Sequence, residues 1–165
     1  MKARRPAAPV LASTAALALA WILPSTALAE QMPFDVGDLA KIERRHGGEP
    51  FLVVLWSLDC PPCRGELALL GDFRLRHPEL ELVLISTDPP ETAAAAAEVL
   101  AGHGLANAES YGFAAQNAER LRHAIDPEWF GELPRTYFYA ADGTRHGVSG
   151  ALSEEMLREW LEAGR

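Results

Sequence analysis

Only two cysteines occur among 165 residues, and they stand three apart as Cys60-Pro61-Pro62-Cys63. A pair so spaced can cycle between dithiol and disulfide, the thiolate being the reactive form. As soft ligands the same thiols would make half of a metal site. Two cysteines cannot complete a four-cysteine zinc site, and no histidine or methionine stands at a fixed ligand spacing from them. As a structural staple they would close too short a loop to remove much unfolded-state entropy. Thiol–disulfide exchange is the chemistry these residues favour.

The compartment decides whether such a pair can be oxidised. Lys2, Arg4 and Arg5 precede an apolar stretch from Val10 to Leu23, then Pro24-Ser25-Thr26 and Ala27-Leu28-Ala29. A positive front, an apolar core and a small-x-small tail make a secretory signal peptide, with cleavage expected between Ala29 and Glu30. An uncleaved anchor competes, but the apolar stretch is short for it. Removing residues 1–29 deletes three cations and no acids, which takes the formal charge from −8 to −11. The expected product is one acidic domain, residues 30–165, exported to a bacterial periplasm where disulfides persist. So acidic a chain lacks the basic face of a nucleic-acid binder. No apolar run reaches the roughly 18–20 residues of a membrane-spanning helix.

The elements around the cysteines must position them. Phe51 to Ser57 is a nearly continuous apolar, β-branched run, as in a strand buried on both faces. Beyond Cys60 the period changes: Leu67, Leu70 and Phe73, with Ala68 and Leu69 beside them, recur at helical spacing until His77-Pro78. Pro61 and Pro62 fall in the first turn, where a missing N–H costs nothing. Cys60 is left at a helix N-terminus, whose unpaired amides and dipole favour a thiolate. Leu80–Ser86 reads as a second buried strand, Glu91–His103 as a helix stopped by Gly102 and Gly104, and residues 108–113 as a short strand. Ala114–Ile125 reads as a helix broken by Asp126-Pro127. Thr136–Ala140 and Arg145–Val148 form a hairpin about Asp142-Gly143, and Ser153 caps a last helix through Leu161. This order predicts an α/β domain with a central mixed sheet and helices on both faces. No internal repeat, long linker or second domain interrupts it.

The segment Trp56-Ser57-Leu58-Asp59-Cys60-Pro61-Pro62-Cys63-Arg64-Gly65-Glu66-Leu67 resembles the active site of TlpA/ResA-type thioredoxin-like proteins, which are exported thiol–disulfide oxidoreductases. The likeness covers about residues 34–163. It implies a thioredoxin-like fold, with a TlpA-type strand–helix insertion within the 71 positions from Cys63 to Pro134. It implies a cis Leu133-Pro134 bond facing the cysteines, and it matches Glu66 to the glutamate that ResA-like members carry beside the active site. It also makes substrate-binding residues of Trp56, whose family position borders the active site, and of Leu133 and Arg135, the neighbours through whose amide and carbonyl groups Pro134 would hold a partner's backbone. Three positions depart from the pattern. Val54 stands where plain thioredoxins have an acid under the active site, and Asp59 where most members have an aromatic. Arg135 takes the place of the threonine that usually follows the cis-proline, with Thr136 one place later.

The expected function is therefore an exported disulfide reductase. Cys60 attacks a client disulfide, Cys63 resolves the mixed disulfide, and Glu66 and Pro134 complete the candidate catalytic set. No cofactor or metal is required. The resemblance implies a membrane thiol reductant of the DsbD/CcdA kind as electron donor. It implies apocytochrome c, through cytochrome c maturation, or copper-site proteins as clients. A disulfide-forming oxidant or isomerase, and a periplasmic copper(I) chaperone using the same cysteines, are the alternatives. Plainer readings compete at single residues: Trp56 as core packing, Glu66 as a solvated helix carboxylate, Pro134 as an ordinary trans proline. His46, His77, His103, His123 and His146 lack ligand spacing and read as surface residues. Trp129, Phe130, Tyr137, Phe138 and Tyr139 flank Pro134, and strand alternation sends some to the core and some to the rim.

Overall fold

Six strands and five helices make up residues 31–114 and 117–164, the part of the chain that a computed structural model describes. The expected signal peptide and its cleavage site lie outside those residues. In chain order the elements are β1 (Met32–Phe34), α1 (Asp38–His46), β2 (Phe51–Trp56), α2 (Pro61–Arg76), β3 (Glu81–Ser86), α3 (Ala93–Gly102), β4 (Glu109–Phe113), α4 (Ala118–Ile125), β5 (Arg135–Tyr139), β6 (Arg145–Ser149) and α5 (Glu154–Ala163). The strands form one mixed sheet in the order β1-β4-β3-β2-β5-β6. The first four of these run parallel, and β5 and β6 pair antiparallel.

β2 lies inside the sheet, and all six of its side chains are buried. That is why it reads as an unbroken apolar run. Leu52, Val54 and Trp56 join the core under α2, α3 and α5, while Phe51, Val53 and Leu55 join the core under α1 and α4. The predicted mixed sheet with helices on both faces is thus observed. α2 buries Cys63, Glu66, Leu67, Leu70, Gly71 and Phe73. Gly71 is required there, because a Cβ would overlap the carbonyl oxygen of His103 at the end of α3. No helix among the described residues is long and apolar enough to cross a membrane.

The structure differs from the sequence expectation in four places. β1 and α1 carry too little pattern to be read, since α1 buries only Leu39 and Ile42 among polar neighbours. The helix expected from Glu91 begins instead with a single 3-10 turn, Pro90–Thr92, and becomes α-helical at Ala93. Pro90 forces Pro89 into an extended conformation, which delays the helix. The helix expected from Ala114 starts at Ala118, where the Asn117 side chain caps it by accepting the Arg120 N–H (3.0 Å). Residues 115 and 116 of that expected helix lie outside the described ones. Finally, His46, His77 and His103 are half-buried rather than surface residues. The His46 ring stacks on Phe51 with Nε2 2.9 Å from Glu109, and the His77 ring stacks on Phe73.

Candidate active site

Register brings the loops of the site to one end of the sheet. Trp56 pairs with Ser86, Ser86 with Gly112, and Leu55 with Arg135. The C-terminal ends of β2, β3 and β4 therefore meet the start of β5, the usual place for a site in an open α/β sheet. Cys60 is the N-cap of α2, with Pro61 and Pro62 following it, and its Sγ accepts the Cys63 N–H at 3.3 Å. The two cysteines are joined as a disulfide, Cα atoms 5.3 Å apart. Cys60 keeps 8% of its surface and Cys63 1%, so Cys60 is the more accessible of the two. After reduction, the helix end and the Cys63 amide would favour a thiolate on Cys60.

The loop that delivers Cys60 is fastened from β3. Asp88 Oδ2 accepts the Leu58 N–H (2.9 Å) and the Ser86 hydroxyl (2.6 Å), and the Thr87 N–H donates to the Trp56 carbonyl (2.9 Å). Asp88 is a site residue that sequence reasoning missed. Its only signal is an acid just past a strand, and its partner lies thirty positions away across a parallel pair.

Glu66 lies one turn beyond Cys63 and is buried, which excludes the solvated-carboxylate reading. Its Oε1 accepts the Thr136 hydroxyl (2.9 Å) and its Oε2 the Leu152 N–H (2.8 Å). Burial raises the carboxyl above its ordinary range, and the two donors only partly offset that. Thr136 pairs across the sheet with Val54. The Glu66 carboxylate therefore lies on the Val54 face of the sheet. Thr136 and Leu152 were invisible in the sequence as partners of Glu66.

The Leu133–Pro134 bond is cis, and Pro134 is buried beside the end of β2, its carbonyl accepting the Gly150 N–H at 2.9 Å. Leu133 is half-buried and touches both cores. One rim assignment needs correction. Trp56 is fully enclosed, its Nε1 has no hydrogen-bond partner among the described residues, and it presents no surface to a client. The side chain of Arg135, next to Pro134, points to the other side of the sheet, because alternation along β5 puts it opposite Thr136. There it bonds Asp126 (3.1 Å) and Ser149 (2.8 Å) and lies over the Tyr137 ring. Burial would raise the Asp126 carboxyl, but hydrogen bonds from Tyr137, Glu128 and Arg135 hold it below its ordinary range.

A thiol:disulfide interchange protein of the thioredoxin family from Chlorobium tepidum TLS superposes on this chain with a TM-score of 0.58 at 14% identity, over 74% of this chain and 83% of that one. The fold is thioredoxin-like. DsbF of MTB, solved in mixed oxidized and reduced forms, gives a TM-score of 0.59 at 20% identity, over 74% of this chain and 85% of its own. A secreted Mycobacterium tuberculosis disulfide oxidoreductase homologous to E. coli DsbE gives 0.58 at 23% identity, over 73% and 85%. No protein-family model and no curated protein matches the chain. Within the thioredoxin-like frame the Cys60–Cys63 disulfide, Glu66 and the cis-proline share one end of the sheet.

Proposed function

We propose that this chain is an exported thiol–disulfide oxidoreductase of the TlpA/ResA type that reduces disulfides in client proteins. The observation that carries this is a disulfide at a helix N-terminus whose first cysteine is more exposed than its second. Thioredoxin-like neighbours described as disulfide oxidoreductases support it. Two electrons and two protons from a dithiol donor, a membrane reductant of the DsbD/CcdA kind, first open the Cys60–Cys63 bond. The Cys60 thiolate then attacks one sulfur of a client disulfide. That bond breaks, a Cys60–client disulfide forms, and the other client sulfur leaves as a thiolate and takes a proton. Glu66 accepts the Cys63 proton, in keeping with its raised carboxyl and its place one turn away. Cys63 attacks Cys60 Sγ, the Cys60–Cys63 disulfide reforms, and the second client thiolate leaves and is protonated. Leu133 and Pro134 set the client backbone against the sulfurs. Apocytochrome c and copper-site proteins are the clients the resemblance suggests.

Trapping tests the assignment. Cys63→Ser, reduced and mixed with a disulfide-bonded protein, should accumulate a mixed disulfide on Cys60, and Cys60→Ser should form none. Alkylation of the reduced wild-type protein near neutral pH should modify Cys60 first. Preferential labelling of Cys63, or a mixed disulfide in Cys60→Ser, would reverse the roles.

A further inference from the structure

Phe130 is 91% exposed, the most exposed of the large apolar side chains, although the loop that carries it is fixed on every side. Asp126 accepts the Glu128 and Trp129 amides, Trp129 is buried with its Nε1 donating to the Glu132 carbonyl (2.8 Å), and Glu132 accepts the Ser149 hydroxyl (2.6 Å). Gly131 has φ 99° and packs against the Arg122 side chain. A rigid loop four residues before Pro134 thus holds an aromatic ring in water, where it contributes nothing to the fold. Beside it runs a cleft of about 500 Å³ between α4 and the loop, lined by Phe130 and Trp129 together with Glu119, Arg120, Arg122 and His123. Neither Arg120 nor Arg122 has a carboxylate partner among the described residues. The lining thus sets two guanidinium groups against one carboxylate, Glu119.

We infer that Phe130 and the Arg120 side of this cleft select the client: a polypeptide segment with a bulky apolar residue next to an acidic one, close to its disulfide cysteine. This rests on the reductase reading above. The apolar side chain packs on Phe130, and the carboxylate faces the unpartnered guanidinium of Arg120. Because the loop is already ordered, docking costs little additional entropy, which is the condition for an exposed aromatic to act as an anchor. The loop continues directly into Leu133 and the cis-proline, so the anchor lies four residues along the chain from Pro134.

The test uses three synthetic cystine peptides carrying Asp-Leu, Lys-Leu or Asp-Gly beside the cysteine, with neutral hydroxyethyl disulfide as reference and dithiothreitol as donor. The wild-type protein should reduce the Asp-Leu peptide with a kcat/KM about tenfold above either other peptide, the difference lying in KM. Phe130→Ala should erase the Leu-over-Gly preference, and Arg120→Glu should reverse the Asp-over-Lys preference. High salt should weaken only the latter. Equal rates on all three peptides, or preferences that survive both substitutions, overturn the inference while leaving the reductase reading intact. Failure of the wild-type protein on the peptides and on hydroxyethyl disulfide alike overturns the reductase reading instead. A concentration-dependent dimer in sedimentation, lost in Phe130→Ala, would assign the face to a second copy of the chain and overturn client selection.

Discussion

A carboxyl taken out of water ionises reluctantly, and Glu66 has only the Thr136 hydroxyl and the Leu152 amide to offset that loss. Its folded-state value stands above the roughly 4.3 of an unfolded glutamate. Between the two values the folded chain binds more protons than the unfolded chain. Its contribution to stability is therefore full below the unfolded value and is lost as pH rises through the folded one. Glu66→Gln keeps the shape and an acceptor for Leu152, and Thr136 can turn its hydroxyl to accept from the new amide. Denaturant midpoints compared between pH 4 and pH 8 should thus show a shallower decline in the variant. The same substitution removes a charge one helical turn from Cys63, so on the proposed mechanism the Cys60 alkylation profile should move to lower pH and reductase turnover should fall. Unchanged profile and turnover would leave Glu66 a structural residue with no part in proton transfer.

Helix α2 is held at both ends by contacts that its own residues do not explain. Near its C-terminal half Gly71 rests on the His103 carbonyl, and any side chain there must push α3 or α2 aside. Gly71→Ala should cost about 1–3 kcal/mol despite the better helix propensity of alanine, read from chemical denaturation. At the other end the Asp88 carboxylate fixes Leu58, two residues before Cys60. Asp88→Ala should cost about 1 kcal/mol and speed hydrogen exchange at the Leu58 amide, with little change at β2. An unaltered Leu58 amide would show that the loop holds its shape through its other hydrogen bonds, from Thr87, Arg64 and the Ser57 turn.

Direction of electron flow belongs to the whole molecule, since it compares the stability of oxidised and reduced chains. Asp59 before Cys60 and Glu66 after Cys63 place negative charge on both sides of the sulfurs, and negative charge opposes thiolate formation. Asp59 is exposed and acts through water, whereas Glu66 is buried and acts where screening is weak. The α2 dipole opposes them, worth about 0.3–1 kcal/mol when exposed and up to about 2 when partly buried. The carboxylates should prevail, giving a potential near the roughly −270 mV of thioredoxin, measured by dithiothreitol titration. The oxidised chain should then unfold at higher denaturant than the reduced chain. A potential above about −180 mV would make the protein an oxidant or isomerase.

Local pattern was enough for the elements nearest the chemistry. An apolar run buried on both faces, two prolines where a helix begins and leucines at helical spacing marked β2, Cys60 at the cap and α2 before any contact was known. The same information failed for α1, whose two buried apolar residues set no period, and for the start of α3, where one proline constrains its neighbour. Partners distant in sequence were beyond it altogether. Glu66 meets Thr136 seventy positions away and Leu152 eighty-six away, and Leu58 meets Asp88 thirty away. Each contact exists only because sheet register carries the chain to one end. The facing of a strand residue was equally hidden: a single step along β5 turns Thr136 towards Glu66 and Arg135 away towards Asp126. Residue types and spacing determined which chemistry this chain can do, and tertiary packing decided which side chains surround the sulfurs, because burial and register are properties of the assembled sheet.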